Sequence, residues 1–193
     1  MKLASPKDAS ITRPTSAKAR EAILHKISEE IQHSVFIDLF SGTGAVGLEA
    51  ISRGAEGALF IENHRGTLKT LEKNVELARE RMTKQGLSPN PFKILTLDAT
   101  KALQQISRKG DKDNCSYVIW ADPPYANCLS WLETINQQKP EILSRTKLFI
   151  VEADHSLLQE SSFKLSNWSK LFEKKYGKTA IVAWSKADQK ENS

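Results

Sequence analysis

Residues 117–128, YVIWADPPYANC, set an apolar run directly against Asp122-Pro123-Pro124-Tyr125. The run reads as a buried strand. The two prolines end it, because neither donates the backbone N–H that a central ladder needs. What stands at the strand end is a carboxylate and nearby carbonyls as acceptors, on a backbone held extended, with a flat ring on which a base can stack. Such a site suits an exocyclic NH2 on a planar ring. That nitrogen is a poor nucleophile, because its lone pair is delocalised into the ring. Hydrogen bonds from the NH2 to Asp122 and to a backbone carbonyl hold it towards sp3 geometry, with the lone pair aimed at a methyl donor. The chemistry is an in-line SN2 transfer, in which positioning and electrostatics supply most of the rate. Proline and an aromatic after a strand are common punctuation by themselves, so the weight of the motif comes from its surroundings.

The methyl donor needs a site of its own. Residues 38–49, DLFSGTGAVGLE, place Gly42, Gly44 and Gly47 in a G-x-G-x-x-G pattern between an apolar run and a helical one. That is the context of a dinucleotide loop. Asp38, just ahead of the loop, repels a pyrophosphate and suits a cationic ligand such as S-adenosylmethionine, with its sulfonium and ammonium. Glu62 closes the second apolar run, where a carboxylate accepts from both ribose hydroxyls. Nicotinamide enzymes use that position in the same way, so Glu62 does not choose between the two ligands. Asp98 closes the third run and is placed to accept from an adenine amino group.

These residues require a scaffold that brings them to one edge. Residues 16–31 put Ala19, Ile23, Ile27 and Ile31 on one helical face, with Thr15 and Ser16 as candidate caps. Strands then read at 35–40, 58–62, 92–98, 117–122 and 147–154, with helices at 45–53, 65–82, 99–107 and 128–138 between them. This alternation means a parallel sheet covered on both faces. The tail breaks the rhythm: 172–177 and 179–185 are strand-like and lie around Gly177 with almost no spacer, which demands an antiparallel hairpin. The fold class expected is α/β, a Rossmann-like methyltransferase fold with a mostly parallel seven-stranded sheet. Its acids all fall at the C-terminal ends of parallel strands, the edge where open α/β sheets bind ligands.

A length of 193 residues suits one domain. No run approaches the ~20 apolar residues of a membrane span, and MKLASPKDAS has no apolar signal core. The chain therefore reads as soluble and cytoplasmic. Cys115 and Cys128 lack CxxC spacing and the four histidines form no HExxH, so neither a disulfide nor a metal is expected. Charge is uneven. Residues 1–26 carry six Lys/Arg against two acids and 161–193 seven against three, while 27–160 carry 15 against 18. Basic margins on a near-neutral body suit a polyanion such as nucleic acid, and equally suit a merely solvated surface.

The segments RPTSAKARE (13–21), DLFSGTGAVGLEA (38–50), ADPPY (121–125) and YGKTA (176–180), with Glu62 and Asp98, resemble the RsmD-type 16S rRNA guanine-N2 methyltransferases over nearly the whole chain. The middle motifs are shared by many amino-methyltransferases. It is RPT…RE, followed closely by the glycine loop, that narrows the choice. Carried over residue by residue, the resemblance implies that Asp38, Phe40, Ser41, Gly42, Thr43 and Gly44 line an S-adenosylmethionine pocket. Glu62 with Asn63 holds the ribose, and Asp98 with Ala99 borders the adenine. Asp122, Pro123, Pro124 and Tyr125 form the catalytic loop. Arg13, Pro14, Thr15, Arg20 and Glu21 close over the cleft near cofactor and RNA. The implied partner is 16S rRNA or the small ribosomal subunit during assembly, and the implied state is a monomer. The implied layout is one domain: a closing segment and first helix at 1–33, a Rossmann-like core at 34–186 and a tail at 187–193. Family members usually begin with a short basic hairpin. Here the match starts near Lys2-Leu3, and a weaker grip on RNA is expected. The alternatives are a DNA adenine-N6 methyltransferase, a nicotinamide-dependent oxidoreductase and a non-catalytic RNA-binding module.

Overall fold

The computed structural model of the chain describes residues 14–88, 92–108, 115–160, 163, 165 and 167–186. Its strands are β1 Ser34–Asp38, β2 Gly57–Ile61, β3 Phe92–Leu95, β4 Ser116–Ala121, β5 Thr146–Asp154, β6 Trp168–Tyr176 and β7 Thr179–Lys186. They form a seven-stranded sheet in the order β3-β2-β1-β4-β5-β7-β6. β1 to β5 pair in parallel, while β7 lies antiparallel to β5 and β6 antiparallel to β7. The order reverses between β1 and β4, which opens a crevice at their C-terminal ends. This is the α/β class I methyltransferase architecture expected from the alternation, closed by the expected hairpin. Gly177, with φ 63, takes the first turn position of that hairpin, the conformation a type II′ turn requires there.

The helices are α1 Pro14–Lys26, α2 Ser28–Ile31, α3 Ala45–Ser52, α4 Arg65–Lys84, α5 Ala99–Arg108, α6 Cys128–Gln138 and α7 His155–Glu160. They cover both faces. On one, Ile37, Ile119, Phe149 and Val151 pack with Leu103 of α5 and Leu132 and Ile135 of α6. On the other, Phe36, Trp120 and Ile150 pack with Ile23, Leu24, Ile27 and Ile31. Burying side chains of this size stabilises by about 1.5–3 kcal/mol each, which fixes α1 and α2 across the sheet. No helix among the described residues is long and apolar enough to cross a membrane.

Several boundaries differ from the sequence reading. The helix expected over 16–31 is two segments, with Ile27 at φ −102 and ψ 23 between them. Ile27 N–H still donates to Ile23 O at 3.0 Å and Ile31 N–H to Ile27 O at 3.1 Å, so the apolar stripe stays on one face. α1 is helical from Pro14 onwards among the described residues, so Thr15 and Ser16 lie within the helix and not at its start. β1 and β3 stop earlier than expected, at Asp38 and Leu95. β6 starts at Trp168 and shifts register between Lys170 and Phe172. α7 was not anticipated: its HSLLQE run is too short for a period to show.

Candidate functional site

The glycine loop is built before any ligand arrives. Ser41 N–H donates to Ile61 O at 3.0 Å and Gly44 N–H to Ser41 O at 2.7 Å, folding the chain back into α3. Ser41 Oγ donates to Asp38 O at 2.8 Å. Gly42 and Gly44 take φ of 52 and 80, a region that disfavours any side chain. A Cβ on Gly44 would stand 2.6 Å from Leu71 Cδ1, and one on Gly47 2.5 Å from Phe60 Cε1. Both glycines thus let α3 sit against β2. A Cβ on Gly42 would meet nothing within 4 Å, so that residue faces open space. Asn74, fully buried on α4, donates from Nδ2 to Thr43 O at 2.9 Å and ties the loop from behind.

Glu62 lies one residue beyond β2, and both its oxygens are held by the backbone. Gly42 N–H donates to Oε2 at 2.9 Å and His64 N–H to Oε1 at 2.7 Å. The carboxylate is thereby aimed along the glycine loop with lone pairs left for a ribose diol. Asn63 beside it is exposed. Asp98 lies three residues beyond the end of β3 and is exposed. Its Oδ1 accepts from Thr100 N–H at 2.9 Å and Lys101 N–H at 3.4 Å, capping α5, whose first residue Ala99 is buried.

A row of acids spans the crevice. Asp38 is in register with Trp120, and Trp120 with Ile150. Two residues on from those partners come Asp122 and Glu152. Side chains alternate along strands. All three carboxyls therefore extend the face that carries Phe36, Trp120 and Ile150, the face under α1. Asp38 is 2 % and Glu152 3 % exposed. Gly47 N–H donates to Asp38 Oδ2 at 3.2 Å. Arg20 reaches down from α1, with Nη1 3.8 Å from Glu152 Oε1. Glu152 Oε2 is buried and has no hydrogen-bond partner. Burial pushes Asp38 up to about 7, against the Gly47 hydrogen bond, with the Asp122 charge adding to the rise. Burial likewise pushes Asp122 up to about 6, against the lowering pull of the Arg20 guanidinium. Two buried carboxyls and the half-buried Asp122 face one guanidinium, an arrangement short of positive charge that suits a ligand carrying cationic groups.

Beyond β4, Pro123 is buried, and Pro124 and Tyr125 are exposed, Tyr125 by 43 %. The Pro124 carbonyl accepts from Asn127 N–H at 2.9 Å, so the loop turns at once into α6. Tyr125 Oη lies 3.4 Å from Thr179 Oγ1 at the start of β7, which sets the hairpin beside the loop. Phe40 stacks edge-on against Trp131 of α6, ring centres 5.3 Å apart.

The structure thus brings together Asp38, Ser41, Gly42, Thr43, Gly44, Glu62, Asp122 and Arg20, all singled out in the sequence. Glu21 is exposed on α1. Pro14 and Thr15 lie in α1, and Arg13 lies outside the described residues. Two further site residues escaped the sequence reading, Asn74 and Glu152. Each carried a signal: Asn74 is a polar residue on the apolar stripe Leu71, Val75, Ala78, and Glu152 an acid inside an apolar strand. Among the described residues, no group of His, Cys, Asp and Glu could hold a metal ion. An open cavity of about 710 Å³ lies at the opposite edge of the sheet, lined by Ser144, Arg145, Lys147 and Lys186 among others, away from the acids.

The sequence profile of the family described as Conserved hypothetical protein 95 matches residues 1–185. Ribosomal RNA small subunit methyltransferase D of Escherichia coli (strain K12) is 30 % identical over 183 residues, covering 93 % of this chain and 82 % of that protein. The protein of the same name from Buchnera aphidicola subsp. Acyrthosiphon pisum (strain APS) is 27 % identical, covering 84 % of this chain and 76 % of its own length. A Bacillus subtilis (strain 168) relative is 30 % identical over 114 residues, 59 % of this chain and 56 % of that protein. Among solved structures, yhhF from Escherichia coli superposes with a TM-score of 0.67 at 25 % identity, covering 98 % of this chain and 93 % of that one.

Proposed function

The chain belongs to the Conserved hypothetical protein 95 family, that of the ribosomal RNA small subunit methyltransferase D proteins, and on that premise we propose that it methylates the exocyclic N2 of a guanine in 16S rRNA. As an rRNA methyltransferase of this family it uses S-adenosylmethionine, which supplies, when bound, a methyl group on an electrophilic sulfonium. The observation that carries the finer reading is the place of Asp122. It stands half-buried one residue beyond β4, on the same sheet face as the buried Asp38, with Tyr125 exposed beyond it.

The residues divide the work. The glycine loop and the Glu62 carboxylate bind the nucleoside half of the cofactor, and Asp98 borders its base. Asp38 and the row beside it favour the cationic half. Asp122 accepts from the guanine NH2 and turns the nitrogen lone pair towards the methyl group. With Arg20 near it, Asp122 is held at about 6, so it is mostly an ionised acceptor at neutral pH. Tyr125 stacks on the base. Prolines 123 and 124 keep the acceptor in place at little entropic cost, which is what an in-line transfer needs. The methylated nitrogen is acidic enough to lose its proton to Asp122 or to water, so no strong base is required.

RNA is gripped outside the crevice. Lys170, Lys174, Lys175 and Lys178 are exposed along β6 and its turn, and the turn end of that hairpin lies beside the Tyr125 loop. They contact phosphates without reading sequence, and binding weakens with salt.

The test is methyl transfer from labelled S-adenosylmethionine to small ribosomal subunits and to naked 16S rRNA, both from a strain lacking the protein, with DNA alongside. The modified nucleoside is identified by mass spectrometry. N2-methylguanosine in rRNA is the expected product, and the better of the two RNA substrates places the enzyme before or during assembly. N6-methyladenine in DNA would overturn the guanine reading.

A further inference from the structure

Glu152 takes no part in the transfer just described, yet it is among the most buried acids of the crevice. One of its oxygens faces Arg20 at 3.8 Å and the other has no partner. The groups around it come from several elements. Arg20 reaches it from α1, Asp122 stands level with it beyond β4, and Asp38 lies across the crevice on β1. Its register partner on β7 is Ile181, which brings no charge. Glu62 adds its charge to Asp38 from the β2 side, and the Cys128 thiol at the start of α6 is pushed up to about 11 by burial and by Asp122. Carboxyls that feel one another's charge at buried and half-buried positions resist ionising together while one guanidinium serves them.

We propose that Glu152 is a positioning residue of the site: acting through Arg20 and Asp122, it makes the carboxyl row give up a proton when the cationic cofactor enters and take one back once the sulfonium charge has gone. The bond that breaks is the carboxyl O–H, the proton goes to bulk water, and no other bond changes. The physical reason is charge balance. S-adenosylmethionine brings a sulfonium and an ammonium to a row that lacks cations, and ionising the row improves both sides. S-adenosylhomocysteine has a neutral sulfur and offers less in return. The row therefore favours substrate cofactor over spent cofactor, which speeds product release. The free carboxyls titrate from about 6 at Asp122, through about 7 at Asp38, to about 8 at Glu152, with burial the chief cause and the Asp122 charge next for Glu152. The free protein thus holds more protons than the complex between pH 6 and 8, so affinity for the sulfonium ligand rises with pH across that window and flattens above it.

The experiment is calorimetric titration with S-adenosylmethionine and with S-adenosylhomocysteine, each at pH 7 in two buffers of different ionisation enthalpy. It counts protons released per ligand bound. The sulfonium ligand should release on the order of one proton more than the thioether, and its affinity should rise by up to about tenfold per pH unit between 6 and 8. Glu152→Gln should lose roughly half of that release or more, while Glu152→Asp, which keeps a carboxyl, retains it. Equal proton counts for the two ligands overturn the inference. So does a Glu152→Gln protein that releases as many protons as the wild type. The wild-type comparison stands even where a variant folds poorly. No RNA is present, so failure of the guanine reading would leave this result unchanged.

Discussion

The two halves of the crevice are built to different standards. On the cofactor side, the glycine loop is fastened at every turn: by Ile61 and Ser41 carbonyls, by Asn74 from α4 and by the Glu62 carboxylate. On the target side, the Asp122–Tyr125 loop presents an exposed ring whose one recorded polar neighbour is 3.4 Å away. The cofactor half is organised in advance. On the proposed function, the target half is completed by its substrate, because a base would first be drawn out of an RNA before stacking there. Order is therefore spent where the ligand is small and always the same.

The sharpest way to test the division is to remove Asp122. Asp122→Ala should cut methyl transfer by at least about 100-fold, since it takes away the acceptor that aims the amino group. The cofactor should still bind by calorimetry, with affinity altered only through the loss of one carboxyl from the row, and abolished binding would place Asp122 on the cofactor side. Next comes Asn74→Ala, which leaves the Thr43 carbonyl buried and unpaired at a cost of about 1–3 kcal/mol. The rise should appear in KM for S-adenosylmethionine, by roughly tenfold, with kcat at saturation largely kept. A fall in kcat alone would break the contrast. The smallest effect belongs to Tyr125→Phe. It keeps the stacking face and gives up only a long contact to Thr179, worth less than about 0.5 kcal/mol. Steady-state rates on RNA should stay within about threefold of wild type, and a larger drop would give the hydroxyl a role in the chemistry.

Much of this was legible in the sequence, because the chemistry sits where apolar strands end. Asp38, Glu62 and Asp122 each follow a strand that announces itself, and the glycines between them allow few backbone shapes. The hairpin was legible for the opposite reason: almost no residues separate its strands, so no crossover was available. Asn74 and Glu152 were passed over because their local mark, a polar residue in an apolar element, does not say what it meets. Asn74 reaches Thr43 across 31 residues of chain. Glu152 meets Arg20 only after β5 and α1 have packed on the same sheet face. Their roles are set by register and packing, which the order of elements does not state. Asp98 shows the converse. The sequence put it at the end of the third strand, whereas β3 stops at Leu95 and the Asp98 carboxylate caps α5, a task that a motif cannot reveal.

The β6 strand has a consequence of another kind. It is the outermost strand of the sheet next to β7, and an open edge invites pairing with a second copy and then aggregation. Here that edge carries Lys170, Lys174 and Lys175 in exposed positions, and its ladder is broken by the shift between Lys170 and Phe172. Two such edges brought together would set lysines against lysines along a strand too irregular to zip. The edge guards the protein against joining itself into fibres, although no further strand of the described residues pairs with it.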